Sequence, residues 1–131
     1  MALGLLAGST RAQEINAYSK DIYAGRFPQQ SGETIYRAIC QSCHMADGKG
    51  AIGAGAYPSL ANDPRLSAAR YAAAIVANGR KAMPWFGGPL SDTQIAAVVG
   101  YVRTHFGNRF EDPVSPAEVK TVRLPAPSDD P

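Results

Sequence analysis

Side chains able to ligate a metal are scarce in this chain. Its 131 residues hold two cysteines, two histidines and one tryptophan. A zinc centre needs Cys or His partners at ligand spacing. Both cysteines fall in one short stretch with His44, and only His105 is left over, which argues against zinc. Charge of one sign is lacking too. The balance of 13 basic and 11 acidic residues is +2, too near neutral to argue for nucleic acid as a partner. No stretch approaches the ~20 apolar residues that span a bilayer, so no integral membrane segment is expected in the mature protein. No internal repeat or polar tract is present, and the length suits one domain. Gly48, Gly50, Gly53 and Gly55 mark a loop over 46–57, and without a P-loop pattern it does not read as a phosphate cradle.

What the chain does have is Cys40-Gln41-Ser42-Cys43-His44-Met45. C-x-x-C-H is the spacing of covalent c-type haem attachment. Two thiols three positions apart on a helical turn face the same way, and each can add to one vinyl group of the ring. His44 follows at once, and its imidazole becomes the proximal ligand of the iron. The rival is a redox disulfide, which expects a βαβ setting. The flanks here are helical and Ala-rich, with no strand run.

Around this motif the chain reads as helices. Ser31 caps a first helix through Cys40, with Glu33 in its first turn and Ile35/Ile39 and Tyr36/Cys40 one turn apart. Asn62-Asp63-Pro64 starts a short turn with Pro at a first helical position. Ser67–Asn78 is an Ala-rich helix with Tyr71, Ile75 and Val76 on one side as core, stopped by Gly79. Ser91-Asp92-Thr93-Gln94 is a capping box for a last helix carrying Ile95, Val98, Val99, Val102 and Phe106, with Gly107 as its stop. His105 near that helix end suits the dipole. Ser115-Pro116-Ala117-Glu118 is a second capping box, for a short helix near 116–123 in a Pro-rich tail over 108–131. Leu124–Pro131 reads as disordered. Residues 1–12 look like the remnant of a secretory signal peptide, with an apolar Ala2–Gly8 run and small Thr10 and Ala12, but no basic n-region. Residues 13–30 read as an arm whose Tyr18, Tyr23 and Phe27 lie on the surface or cover a haem edge or partner surface.

Gly32 and Tyr36 before Cys40, Pro58-Ser59-Leu60, Gly79-Arg80-Lys81-Ala82-Met83-Pro84, and Leu90–Phe106 with Gly100 and Tyr101 together resemble a class I (mitochondrial-type) cytochrome c over roughly 31–107. The resemblance implies an all-α small cytochrome c fold, with three to five helices around one covalent haem c and crossing N- and C-terminal helices. It implies that Gly32 lets the first and last helices touch, that the Pro58 carbonyl accepts the Nδ1–H of His44, and that Leu60 packs on the ring. Met83 becomes the second metal ligand beside His44. Its loop carries Pro84, Trp85 and Phe86, whereas Met45 is adjacent to His44 and one ~3.8 Å step is too short to reach the other face. Trp85 either donates its indole N–H to a haem propionate or seals the pocket.

The function so implied is one-electron transfer in the bacterial periplasm, since c-type haem is attached outside the cytoplasmic membrane. The protein is not itself an enzyme. A dehydrogenase is the donor, and a terminal oxidase or another cytochrome is the acceptor. The tail also resembles those of cytochromes that serve flavoprotein or alcohol dehydrogenases, so the chain is either a free monomer or a subunit of such a hetero-complex. A peroxidase-like enzyme would require Met83 to be off the iron. Lys49, Arg80 and Lys81 either ring the haem edge and steer a partner, or are ordinary solvated residues.

Overall fold

Ser31 opens the first helix, its hydroxyl accepting from the Thr34 amide at 3.2 Å. In the computed structural model, which describes residues 27–53 and 55–127, this helix runs in three abutting pieces. They are α1 (Gly32–Ile35), a π-helical stretch (Tyr36–Cys40) and α2 (Gln41–His44). The sequence suggested an end at Cys40. The structure carries the helix through His44, and Met45 stops it with a φ of 66°. Tyr36 Oη reaches across that end to donate to the Met45 carbonyl at 2.7 Å. The expected signal remnant, with Tyr18 and Tyr23 of the arm, lies outside the described residues, as do the last four residues.

The loop that follows is not wholly irregular. Strands β1 (Ala51–Ile52) and β2 (Ala56–Tyr57) form a minimal antiparallel ladder with Ala51 opposite Tyr57. A 3-10 turn spans Pro64–Ser67, capped by Asp63 and begun by Pro64 as expected. Helix α3 is Ala69–Asn78, starting two residues later than the pattern suggested, because Ala68 is extended with a ψ of 91°. Its buried face also differs from expectation. Ala72, Ala73 and Ala77 are buried, while Tyr71 is exposed and Ile75 and Val76 are half-buried. Small side chains let this helix lie close against its neighbours, which larger ones on that face would prevent.

Helix α4 (Asp92–Thr104) has both halves of the Ser91–Gln94 capping box, and α5 (Pro116–Val122) both halves of the Ser115–Glu118 box. Ile95, Val98, Val99 and Val102 of α4 pack with Ile35 and Tyr36 in the core. The α1–α4 crossing is made at Gly32. A Cβ there would run into the Ala97 carbonyl and come within 2.6 Å of Tyr101 Cβ. Tyr101 is thus at the crossing as expected, but the other contact is Ala97, and Gly100 has open space where a Cβ would be. With 32–44 taken as one element, the described residues form four helices in an all-α fold of cytochrome c type.

Two parts thought peripheral are inside. Phe27 is 2% exposed, so it does not lie on the surface but in the core. Gln94, already the cap partner of Ser91, donates its amide to the Phe27 and Gln29 carbonyls at 2.7 and 2.8 Å. Past Gly107 the chain stays on the body: Val119 of α5 is fully buried. Arg103, also fully buried, donates to the carbonyls of Leu66, Ser67 and Asp112 and to the Asp112 carboxylate.

Candidate haem-attachment site

Cys40 and Cys43 sit one turn apart, both half-buried free thiols. Burial, with a smaller contribution from Cys43, pushes the Cys40 thiol up to about 12. A disulfide-exchange site expects a βαβ setting, whereas here the pair stands at a helix end and the described residues hold only a two-stranded antiparallel ladder, which opposes the redox-disulfide reading. Among the described residues no three His, Cys, Asp or Glu side chains gather as a metal cluster.

His44 closes α2 and is 8% exposed. Its Nδ1 lies 2.9 Å from the Pro58 carbonyl oxygen. A carbonyl only accepts, so Nδ1 carries the proton and Nε2 keeps a lone pair for a metal. Backbone geometry puts Pro58 there. The Gly50 amide donates to the His44 carbonyl at 3.0 Å, and Gly50 has a φ of 67°. Any side chain at Gly50 would strike the Tyr57 and Pro58 carbonyl groups, so only glycine lets the two strands of this loop close over His44.

Leu60 is held by the same framework. Its amide donates to the Gly48 carbonyl at 2.7 Å, and its own carbonyl accepts from Asn108 Nδ2 at 2.7 Å. Asn108 is buried. It also donates to the Val102 carbonyl and accepts from the Asp63 amide, so it ties this loop to the end of α4. Sequence reasoning missed Asn108: one amide just after a helix stop looks like any other polar loop residue.

Met83 and Trp85 belong to a second cluster, the loop between α3 and α4. Arg80 and Met83 exchange backbone bonds of 3.1 and 2.9 Å in a tight turn that places Lys81 at a φ of 53°. The amides of Phe86 and Gly87 donate to the Val76 and Ala77 carbonyls, so the loop folds back along α3. Met83 is half-buried. Trp85 Nε1 is buried without a hydrogen-bond partner among the described residues. A buried N–H of this kind calls for an acceptor, and a haem propionate is one. The orphaned indole and the spare Nε2 of His44, together with two thiols at the right spacing, fit a haem.

The remaining candidates are elsewhere. His105 is exposed, its ring stacked on Tyr101 at 3.9 Å and its Nδ1 donating to the Tyr101 carbonyl, so it caps the end of α4. Lys49 lies 3.8 Å from Asp47, Arg80 donates to the Tyr71 hydroxyl, and Lys81 is exposed.

A small helical domain that brings C-x-x-C-H to the end of its first helix, with a carbonyl holding the imidazole proton, is a cytochrome c domain. It is built to carry electrons through covalent haem c. The chain belongs to the family described as cytochrome c oxidase, cbb3-type, subunit III, which matches residues 28–102. It is 39% identical over 107 residues to the fructose dehydrogenase cytochrome subunit of Gluconobacter japonicus. That match takes in 70% of this chain and 22% of the relative. It is also 30% identical over 113 residues to the alcohol dehydrogenase (quinone) cytochrome c subunits of Gluconacetobacter polyoxogenes and Komagataeibacter europaeus. Those matches take in 76% of this chain and 24% of each relative, so the shared stretch is about a quarter of their length.

Proposed function

We propose that this chain is a periplasmic one-electron carrier whose His44 and Met83 would hold the iron of one haem c. The observation that carries the reading is the His44 Nδ1–Pro58 bond beside Cys40 and Cys43. Haem, when bound, supplies a one-electron iron couple. Cys40 and Cys43 would hold it by thioether bonds to its vinyl groups. His44 would ligate through Nε2, while Pro58 fixes the ring's tautomer and raises its basicity. Leu60 would pack on the ring, and the Trp85 indole would donate to a propionate. Met83 would supply its thioether as the second ligand, which raises the potential relative to a bis-His pair. Held by both residues, the iron would offer no site to oxygen or peroxide, and electrons would pass outer-sphere to and from partner proteins. In this reading 31–107 carries the haem residues, and Phe27 before it and Val119 after it pack into the same core.

A second reading is favoured by the printed names of the relatives, each a cytochrome subunit of a dehydrogenase. In that reading the chain receives electrons inside a flavoprotein or alcohol dehydrogenase complex, and an oxidase or another cytochrome takes them on. None of the helices among the described residues is long and apolar enough to cross a membrane.

Acid-acetone extraction tests attachment: the colour should stay with the protein. Met83→Ala should open the sixth position, lower the potential and allow carbon monoxide to bind the reduced protein, while Met45→Leu should leave the spectrum alone. Free extraction of haem, or an unchanged Met83→Ala spectrum, would sink the assignment; the latter would make His105 the ligand to examine. Pull-down from the native host separates the two readings, because a subunit brings its dehydrogenase chain along.

A further inference from the structure

We propose that the end of α5, residues Val122–Leu124, is a clasp that holds the Met83 loop shut, with Arg123 as its positioning residue. The inference rests on the reading of Met83 as the sixth ligand. The loop runs from Gly79 to Leu90, between α3 and α4. Its beginning is tied through Asn78, the last residue of α3. Asn78 Nδ2 donates to the Val122 carbonyl at 2.8 Å, and its Oδ1 accepts from the Leu124 amide at 2.8 Å. Its end is tied through Arg123. The guanidinium donates to the carbonyls of Gly87 and Leu90 and, by Nε at 2.8 Å, to the carboxylate of Asp92. Consecutive residues of the tail therefore hold both ends of the ligand loop.

The attachment is firm at each point. Arg123 and Asp92 side chains are 24% and 29% exposed, so water screens this pair less than the surface pair Lys49–Asp47, at 74% and 58%. The planar fork satisfies carbonyl and carboxylate at once, which an ammonium cannot do. Val119, fully buried, seats α5 on the core, so the clasp hangs from a fixed element. A Cβ on Gly87 would meet Trp85 Nε1 at 2.6 Å and Arg123 Nη1 at 2.8 Å, so the indole and the guanidinium both close on Gly87 within the Met83 loop. A loop that swings as a whole to release its thioether breaks the bonds to Gly87 and Leu90. The clasp thus opposes loss of Met83 from the iron, and a partner that displaced α5 would loosen the ligand.

The test uses the full haem-bearing chain, with imidazole as a probe that competes with Met83 for the ferric iron. Arg123→Ala should tighten apparent imidazole binding about tenfold, as expected for ~1.4 kcal/mol of lost closure. Arg123→Lys should fall between it and the natural protein. Gly32→Ala, at the α1–α4 crossing and away from the clasp, should lower the thermal midpoint and leave imidazole binding unchanged at 25 °C. Amide hydrogen exchange at Phe86, Gly87 and Leu90 reads loop opening whether or not Met83 is the ligand. It should quicken about tenfold in Arg123→Ala and not in Gly32→Ala. Unchanged exchange in Arg123→Ala, or equal quickening in both variants, would overturn the clasp. Absence of the red thioether-to-iron band from the natural ferric protein would instead overturn the Met83 reading.

Discussion

The same substitution should have opposite signs at two glycines, Gly32 and Gly100. Replacing glycine by alanine inside a helix gains about 0.5–1 kcal/mol, chiefly by narrowing the unfolded chain. Gly100 lies in the middle of α4, and a Cβ there meets nothing within 4 Å. Gly100→Ala should keep the whole gain. Gly32 opens α1, where an added Cβ would run into the Ala97 carbonyl and stand 2.6 Å from Tyr101 Cβ. Two of the three nearest atoms there are backbone, which cannot step aside as a side-chain tip can. The helices must separate, and overpacking of this kind costs about 1–3 kcal/mol. Two backbone collisions put this case in the upper part of that range, so the loss wins by about 1–2 kcal/mol. At about 4 °C per kcal/mol, Tm should fall by about 4–8 °C in Gly32→Ala and rise by about 2–4 °C in Gly100→Ala. Thermal melts of the haem protein followed by far-ultraviolet circular dichroism decide it. If Gly32→Ala melts at or above the natural protein, the α1–α4 crossing is not where the structure puts it.

Arg103→Met should cost about 2–4 kcal/mol, because it strips donors from the Leu66 and Ser67 carbonyls beneath a fully buried side chain. Asp112→Asn, at the exposed end of the same pair, should cost far less, and urea unfolding compares the two. Acid should destabilise the fold. The bond from Arg65 holds the Asp63 carboxyl below its usual range, and Arg103 and the Ser115 amide do the same for Asp112 and Glu118. A carboxyl lowered on folding stabilises above its unfolded value and loses that contribution as pH falls through the folded one. Tm should therefore be flat from pH 7 to about 5 and fall below about 4. Asp63→Asn should soften the fall, and a Tm that climbs on acidification would contradict the assignment.

Which parts were legible follows from how far each bond reaches along the chain. Cys40, Cys43 and His44 owe their arrangement to four helical steps, so their motif is written locally. The same is true of Asp63 capping the turn at Pro64 and of the boxes Ser91–Gln94 and Ser115–Glu118, whose partners stand within three residues. Periodicity marked Ile95, Val98, Val99 and Val102 as the buried face of α4 correctly, but Phe106 of the same series lies past the helix end at a φ of 57° and is only half-buried. On α3 it favoured Tyr71, Ile75 and Val76 over the alanines, since size suggests burial while close approach selects smallness. The Pro-rich stretch after Gly107 has the composition of a loose tail, and a single fully buried Val119 does not change that composition.

Residue types at fixed short spacings carried the haem-attachment motif, the helical class and the main caps. Only the tertiary structure decided that Phe27 is core, that Ala97 and not Gly100 faces Gly32, and that Arg103, Asn108 and Arg123 tie distant segments together. The acceptors those three side chains meet are mostly backbone carbonyls, which every residue carries. No pattern of residue types marks such an acceptor in advance. The fold alone brings it within reach of a particular guanidinium or amide.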